Sequence, residues 1–116
     1  MWKIGIIGAG HYGEEHARAI AQLDNAVVTA ASRTNAAALA GFTARYGGAG
    51  YTDYIDLLND PEVDAVVIAT PHHLHTDIAL AAARAGKHIL LEKPMAPTFA
   101  ECQQIADAAQ AAKVCL

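Results

Sequence analysis

Three short segments of this sequence carry residue types whose spacing can do chemistry. Gly8-Ala9-Gly10-His11-Tyr12-Gly13 has the spacing G-x-G-x-x-G. In that pattern the first glycine permits a tight turn, the second lets the backbone approach a pyrophosphate, and the third lets a helix pack closely on a strand. A helix starting there turns free N–H groups and a partial positive charge toward the phosphates. His11 and Tyr12, lying between the glycines, are counted with Gly8, Gly10 and Gly13 as candidate contacts. The second segment, Thr70-Pro71-His72-His73-Leu74-His75, gathers a hydroxyl and three imidazoles; the third, Glu92-Lys93-Pro94, sets a carboxylate beside an ammonium. Three imidazoles so close together raise a metal reading. Zinc sites on helices pair histidines at i and i+4, however, and neither such a pair nor a nearby thiolate exists here, so no metal ligand is assigned.

The elements that must position these segments alternate. Lys3 to Ile7 is a short, β-branched run bounded by glycines and reads as a buried strand. Tyr12 to Leu23 carries a helical apolar stripe. Ala26 to Ala31 is a second strand, and Asn35 to Tyr46 a helix with Asn35 as N-cap and Gly47-Gly48 as its stop. Asp53 to Asn59 fits a short helix. Ala65 to Ala69 is continuously apolar, as a strand covered on both faces should be. A helix from Leu74 to Ala85 closes at Gly86, and His88 to Leu91 is a further strand. Thr98 caps a helix to Ala112, with Glu101 three residues on completing a capping box. Val114-Cys115-Leu116 reads as the opening of one more strand, which makes the end look like a cut. Strand–helix alternation implies right-handed crossovers and a three-layer, doubly wound parallel α/β sheet. Its ligands lie beyond the carboxyl ends of the strands, where all three segments fall.

From Lys3 to Ala31 the first unit has nearly the roughly 30 residues of a dinucleotide-binding βαβ. One feature departs from that fingerprint. The acidic residue expected after the second strand, to bind a ribose 2′-OH, is replaced by Ser32-Arg33-Thr34-Asn35. Arg33 can pair its planar fork with a 2′-phosphate while Ser32 or Thr34 donates a hydroxyl bond. This favours NADP, with NAD as the other possibility.

Composition removes whole classes of function. With 116 residues the chain is one domain, 1–116. Hydrophobic residues make up 53% and charged ones 17%, which excludes disorder driven by charge. Eight Lys plus Arg against twelve Asp plus Glu give −4, the wrong sign for a nucleic-acid module. No apolar run approaches the roughly 18 residues of a membrane span, and the start has no signal-peptide pattern. Cys102 and Cys115 stand too far apart for a CxxC. A reduced, cytoplasmic, globular domain is the expectation.

The turn GIIGAGHYG, the segment ATPHHLHTDIALAAARAGKHILLEKP and the helix after it resemble the N-terminal domain of the Gfo/Idh/MocA family (glucose–fructose oxidoreductase, inositol dehydrogenase, rhizopine catabolism). The resemblance spans essentially the whole chain. It implies an NAD(P)-binding Rossmann fold (here without the family's C-terminal α/β substrate domain) and oxidoreduction of sugars, polyols or related compounds. By position it implies that Lys93 reaches the substrate or the nicotinamide, as the catalytic residue of this half. Such a lysine donates to a substrate oxygen and stabilises charge developing there. Glu92 is implied to hold the nicotinamide-ribose end, and Pro94 to fix the turn, often through a cis peptide. Thr70 and Pro71 match the segment beside the cofactor. His72 replaces the family's usual asparagine, while His75 and His16 match family histidines. The family's acid/base pair comes from its second domain, so this chain alone is expected to bind a dinucleotide and turn over little or nothing. The alternatives are a free-standing dinucleotide-sensing module and a regulatory partner that has lost cofactor binding. Apolar surface near the last strand also suggests association of copies.

Overall fold

The computed structural model describes residues 1–116. The elements run β1 (Trp2–Ile7), α1 (His11–Ile20), β2 (Ala26–Ser32), α2 (Ala36–Tyr46), β3 (Ala49–Tyr51), α3 (Tyr54–Leu58), β4 (Ala65–Ile68), a 3-10 turn (His72–Leu74), α4 (His75–Arg84), β5 (His88–Leu91) and α5 (Phe99–Ala112). The five strands form one parallel sheet in the order β3-β2-β1-β4-β5. The chain moves outward from β1 to one side, then returns to β4 on the other. A crevice therefore opens above the β1–β4 pair, at the carboxyl ends of the strands.

Alternation along each strand divides the core in two. Ile7, Val66, Ile68 and Ile89 pack with Leu57, Ile78 and Ile105 from α3, α4 and α5. Their sequence neighbours Ile6 and Val67, with Val28, pack with Ala17, Ile20, Leu39 and Phe42 from α1 and α2. This is why β4 reads as unbroken Val-Val-Ile: both its faces are covered. Each such side chain, fully buried, contributes about 1.5–3 kcal/mol.

Local signals set the helix starts. The Asn35 side chain accepts from the Ala38 N–H at 3.0 Å, and Asp53 accepts from Ile55 at 2.9 Å. Thr98 Oγ1 accepts from the Glu101 N–H at 3.2 Å and donates to the Glu101 carboxylate at 2.8 Å. The box thus closes hydroxyl to carboxylate. Two expectations need correction. β3 is absent from the sequence reading, because Ala49-Gly50-Tyr51 has weak strand preference and forms only by pairing with Ala30–Ser32 of β2. Val114–Leu116 is not a strand. Lys113 adopts a left-handed conformation (φ 57°), and only Cys115 then meets β5, its carbonyl accepting from the Ile89 N–H. No helix is long and apolar enough to cross a membrane.

Candidate functional site: the crevice above the first and fourth strands

The turn after β1 is held by close backbone approaches. Gly8 has φ +89°, and a Cβ there would stand 2.8 Å from the backbone of Ala69 and Thr70. A Cβ on Gly13 would stand 2.3 Å from the Gly8 carbonyl oxygen, so α1 meets its own turn only because residue 13 has no side chain. Gly10 differs: a Cβ there meets nothing within 4 Å. Its space is open to a ligand.

Amide accounting says where an anion can sit. The N–H groups of Gly8 and Ala9 both donate to the Ser32 carbonyl, and that of Gly10 to the Gly8 carbonyl. Gly10, at the N-cap, offers no side-chain bond, and the amides of His11, Tyr12 and Gly13 have no acceptor within the chain. Three donors therefore converge at the positive end of a ten-residue helix beside a glycine with room above it. The acidic residues of this helix are engaged elsewhere: Glu14 accepts from Tyr46 and Arg45 of α2, Glu15 from Arg18.

A crevice of about 660 Å³ runs outward from this turn. Of the residues expected at the site, Gly8, Gly10, Ser32, Arg33, Thr34, Thr70 and Pro71 line it. Arg33 is exposed at its rim, with Nη1 donating to the Ala9 carbonyl at 3.2 Å and the rest of the fork unpaired. Ser32 is buried and seats the turn through its carbonyl. Thr70 Oγ1 is buried without a partner, an orphaned hydroxyl on the crevice wall. These features fit a dinucleotide diphosphate: donors, space and an unanswered hydroxyl in one crevice.

Several expected residues stand outside that lining. The side chains of His11 and Tyr12 point outward from the first helical turn and stack edge-on to each other at 5.3 Å, with Tyr12 63% exposed. His72 is exposed on the 3-10 turn. His75 is fully buried inside the wall, its ring nitrogens against the carbonyl oxygens of Pro94 (2.9 Å) and Thr70 (3.0 Å). A ring so enclosed does not reach a ligand. Conversely, Thr52, Asp53 and Tyr54 line the crevice, as do Leu74, Asp77 and Ile78, and none was singled out in the sequence. The first three follow β3, a strand too short and too weak in preference to leave a signal in the sequence. No group of three His, Cys, Asp or Glu side chains is placed to hold a metal.

Glu92 and Lys93 follow β5 and, like the histidines, are not among the residues that line the crevice. The Glu92 N–H donates to Ile68, which extends the β4–β5 pairing by one residue. The Glu92 carboxylate takes His16 Nε2 at 2.8 Å and the Lys93 N–H at 3.2 Å. The bond from His16, then that backbone N–H, hold its pKa below the ordinary carboxylate value, against partial burial. Lys93 is exposed, its ammonium makes no bond within the chain, and the Lys93–Pro94 peptide is cis.

Known proteins share this arrangement. A family described as an oxidoreductase family with an NAD-binding Rossmann fold, Gfo/Idh/MocA, matches residues 2–116. An inositol 2-dehydrogenase from Salmonella typhimurium is 37% identical over 111 residues, covering 93% of this chain and 33% of its own length. Among solved structures, a biliverdin reductase from Synechocystis with biliverdin and NADP+ superposes with TM-score 0.92 at 32% identity, over 98% of this chain and 36% of that one. A dehydrogenase from Bordetella pertussis with NADH and UDP-GlcNAcA gives 0.93 at 34%, over 97% and 34%. The chain thus spans about a third of the length of these relatives. Fold, glycine turn and Glu-Lys-Pro turn agree with the match along the sequence, and the chain belongs to the Gfo/Idh/MocA oxidoreductase family, as its NAD(P)-binding Rossmann domain.

Proposed function

We propose that residues 1–116 are the dinucleotide-binding domain of an oxidoreductase that moves a hydride between a nicotinamide cofactor and a sugar, a polyol or a related compound. The observation that carries this reading is the trio of unpartnered amides at His11–Gly13 beside the open Gly10. Those donors would hold the diphosphate, and Ser32, Arg33 and Thr34 would hold the adenosine half. NADP is the preferred cofactor, because Arg33 offers an unpaired guanidinium edge where a carboxylate would favour NAD. His72 lies near the β4 exit and serves the cofactor only through rearrangement of its exposed side chain.

The bound nicotinamide supplies the hydride chemistry. This chain's residues supply orientation and charge. Lys93 donates from its free ammonium to the substrate oxygen whose charge changes as hydride moves. Glu92, ionised and held by His16, fixes the direction in which the Lys93 backbone leaves β5. The proton acceptor of the reaction is assigned to a second domain, so the chain alone binds cofactor without turning over substrate. Its setting is the cytoplasm.

Titration calorimetry with NADPH and NADH tests the reading directly. Binding of both, tighter for NADPH, is expected. Absence of heat with either nucleotide would remove the oxidoreductase reading of these residues, and tighter NADH would remove the role given to Arg33.

A further inference from the structure

We propose that His75 is a positioning residue, a rigid spacer that sets the distance between the crevice wall at Thr70 and the turn that carries Lys93. The assignment deepens the proposed function and rests on it. The β4–β5 ladder ends where the Glu92 N–H meets the Ile68 carbonyl. Beyond that point no backbone hydrogen bond joins the segment leaving β4 to the segment leaving β5. The link between them is one imidazole. Its Nδ1 lies 2.9 Å from the Pro94 carbonyl oxygen and its Nε2 3.0 Å from the Thr70 carbonyl oxygen, and the residue is fully buried.

The chemistry of this contact is restrictive. Both partners are acceptors, so the ring can serve them only as donor. A neutral ring carries one N–H, on Nδ1 or on Nε2, which bonds one oxygen while the other nitrogen packs against the second. Because imidazole is planar and stiff, the separation of the two carbonyls is fixed by ring geometry rather than by a flexible chain. One carbonyl belongs to Thr70, a residue of the crevice wall, the other to the residue after Lys93. The nicotinamide end of a cofactor and the ammonium beside it are thereby held in one register. The adenylate end, resting on the β1 and β2 exits, does not depend on it.

The test compares two ligands on the 116-residue chain: NADPH, and 2′,5′-ADP, which lacks the nicotinamide half. Asparagine can retain the contact made by Nδ1 and glutamine that made by Nε2, but neither spans both. In His75→Asn and His75→Gln, NADPH is expected to bind at least about fivefold more weakly. Binding of 2′,5′-ADP should change by less than about twofold, with amide shifts concentrated at Lys93 and Met95. Equal weakening of both ligands, or no change in either, would overturn the assignment. Should the variants not fold, the native chain still decides: nuclear Overhauser contacts from the His75 ring to protons of both Pro94–Met95 and Thr70–Pro71 are expected. Their absence on the Pro94 side overturns it. Native protein that fails to bind NADPH but shows these contacts defeats the proposed function, not the spacer.

Discussion

Glu92 and His16 stand 76 residues apart in the sequence and meet at 2.8 Å, joining the turn that carries the candidate lysine to the helix that carries the unpartnered amides. One side-chain contact therefore ties the turn after β5 to the helix after β1. It has a signature in pH. The folded-state pKa of Glu92 lies below its unfolded value, so its contribution is complete above about pH 4.5 and is lost as pH falls through the folded pKa. Chemical denaturation between pH 6 and pH 3 should show Glu92→Gln losing less stability on acidification than the native chain. Parallel pH profiles would refute the linkage.

Two glycines in one turn should respond in opposite ways. Gly13→Ala drives a Cβ into the Gly8 carbonyl and should cost on the order of 1–3 kcal/mol of stability, with loss of cofactor binding. Gly10→Ala meets nothing in the free chain. Its melting temperature should stay near native while NADPH affinity drops by roughly tenfold, as a methyl group takes the space meant for phosphate. Thermal melts paired with calorimetry separate the two, and unimpaired binding by Gly10→Ala would show that no phosphate comes there.

Arg33→Ala should weaken NADPH by roughly 10–100-fold, the worth of a charge-assisted bond of about 1.5–3 kcal/mol, and leave NADH within about twofold. A uniform loss for both nucleotides would point instead to the bond from Arg33 to the Ala9 carbonyl as its main role.

Association is expected at the flank of the sheet. Leu90, Leu23 and Trp2 are 57%, 53% and 50% exposed, and Leu90 and Leu23 line an apolar groove of about 240 Å³. Light scattering should show a mass that rises with concentration, and Leu90→Lys should suppress the rise. A concentration-independent monomer mass would rule this out.

What the sequence made legible was local. β4 announced itself through Val66-Val67-Ile68, because a strand enclosed on both faces needs no polar alternation. The caps at Asn35 and Thr98 were equally plain, since capping is settled within four residues. The crevice was half legible: Gly8, Gly10, Arg33 and Thr70 follow recognisable strands and line it, whereas Thr52–Tyr54 follow a strand too short and too weak in preference to be seen. His75 and Glu92 were noticed as motif members, yet their partners Pro94, Thr70 and His16 come from other elements. Those partners exist only once the sheet has assembled. Long-range pairing of polar groups leaves no periodicity to read.

The division of neighbouring strand residues between two separate cores has a mechanical consequence. Ile6 and Ile7, or Val66 and Val67, are consecutive yet anchor opposite helical layers. The peptides from which the crevice rises are clamped from above and below, and displacing either strand would unseat both layers together. The floor of the crevice is accordingly cast before any guest arrives. Adjustment to different guests falls to the segment that leaves β3 at the margin of the sheet.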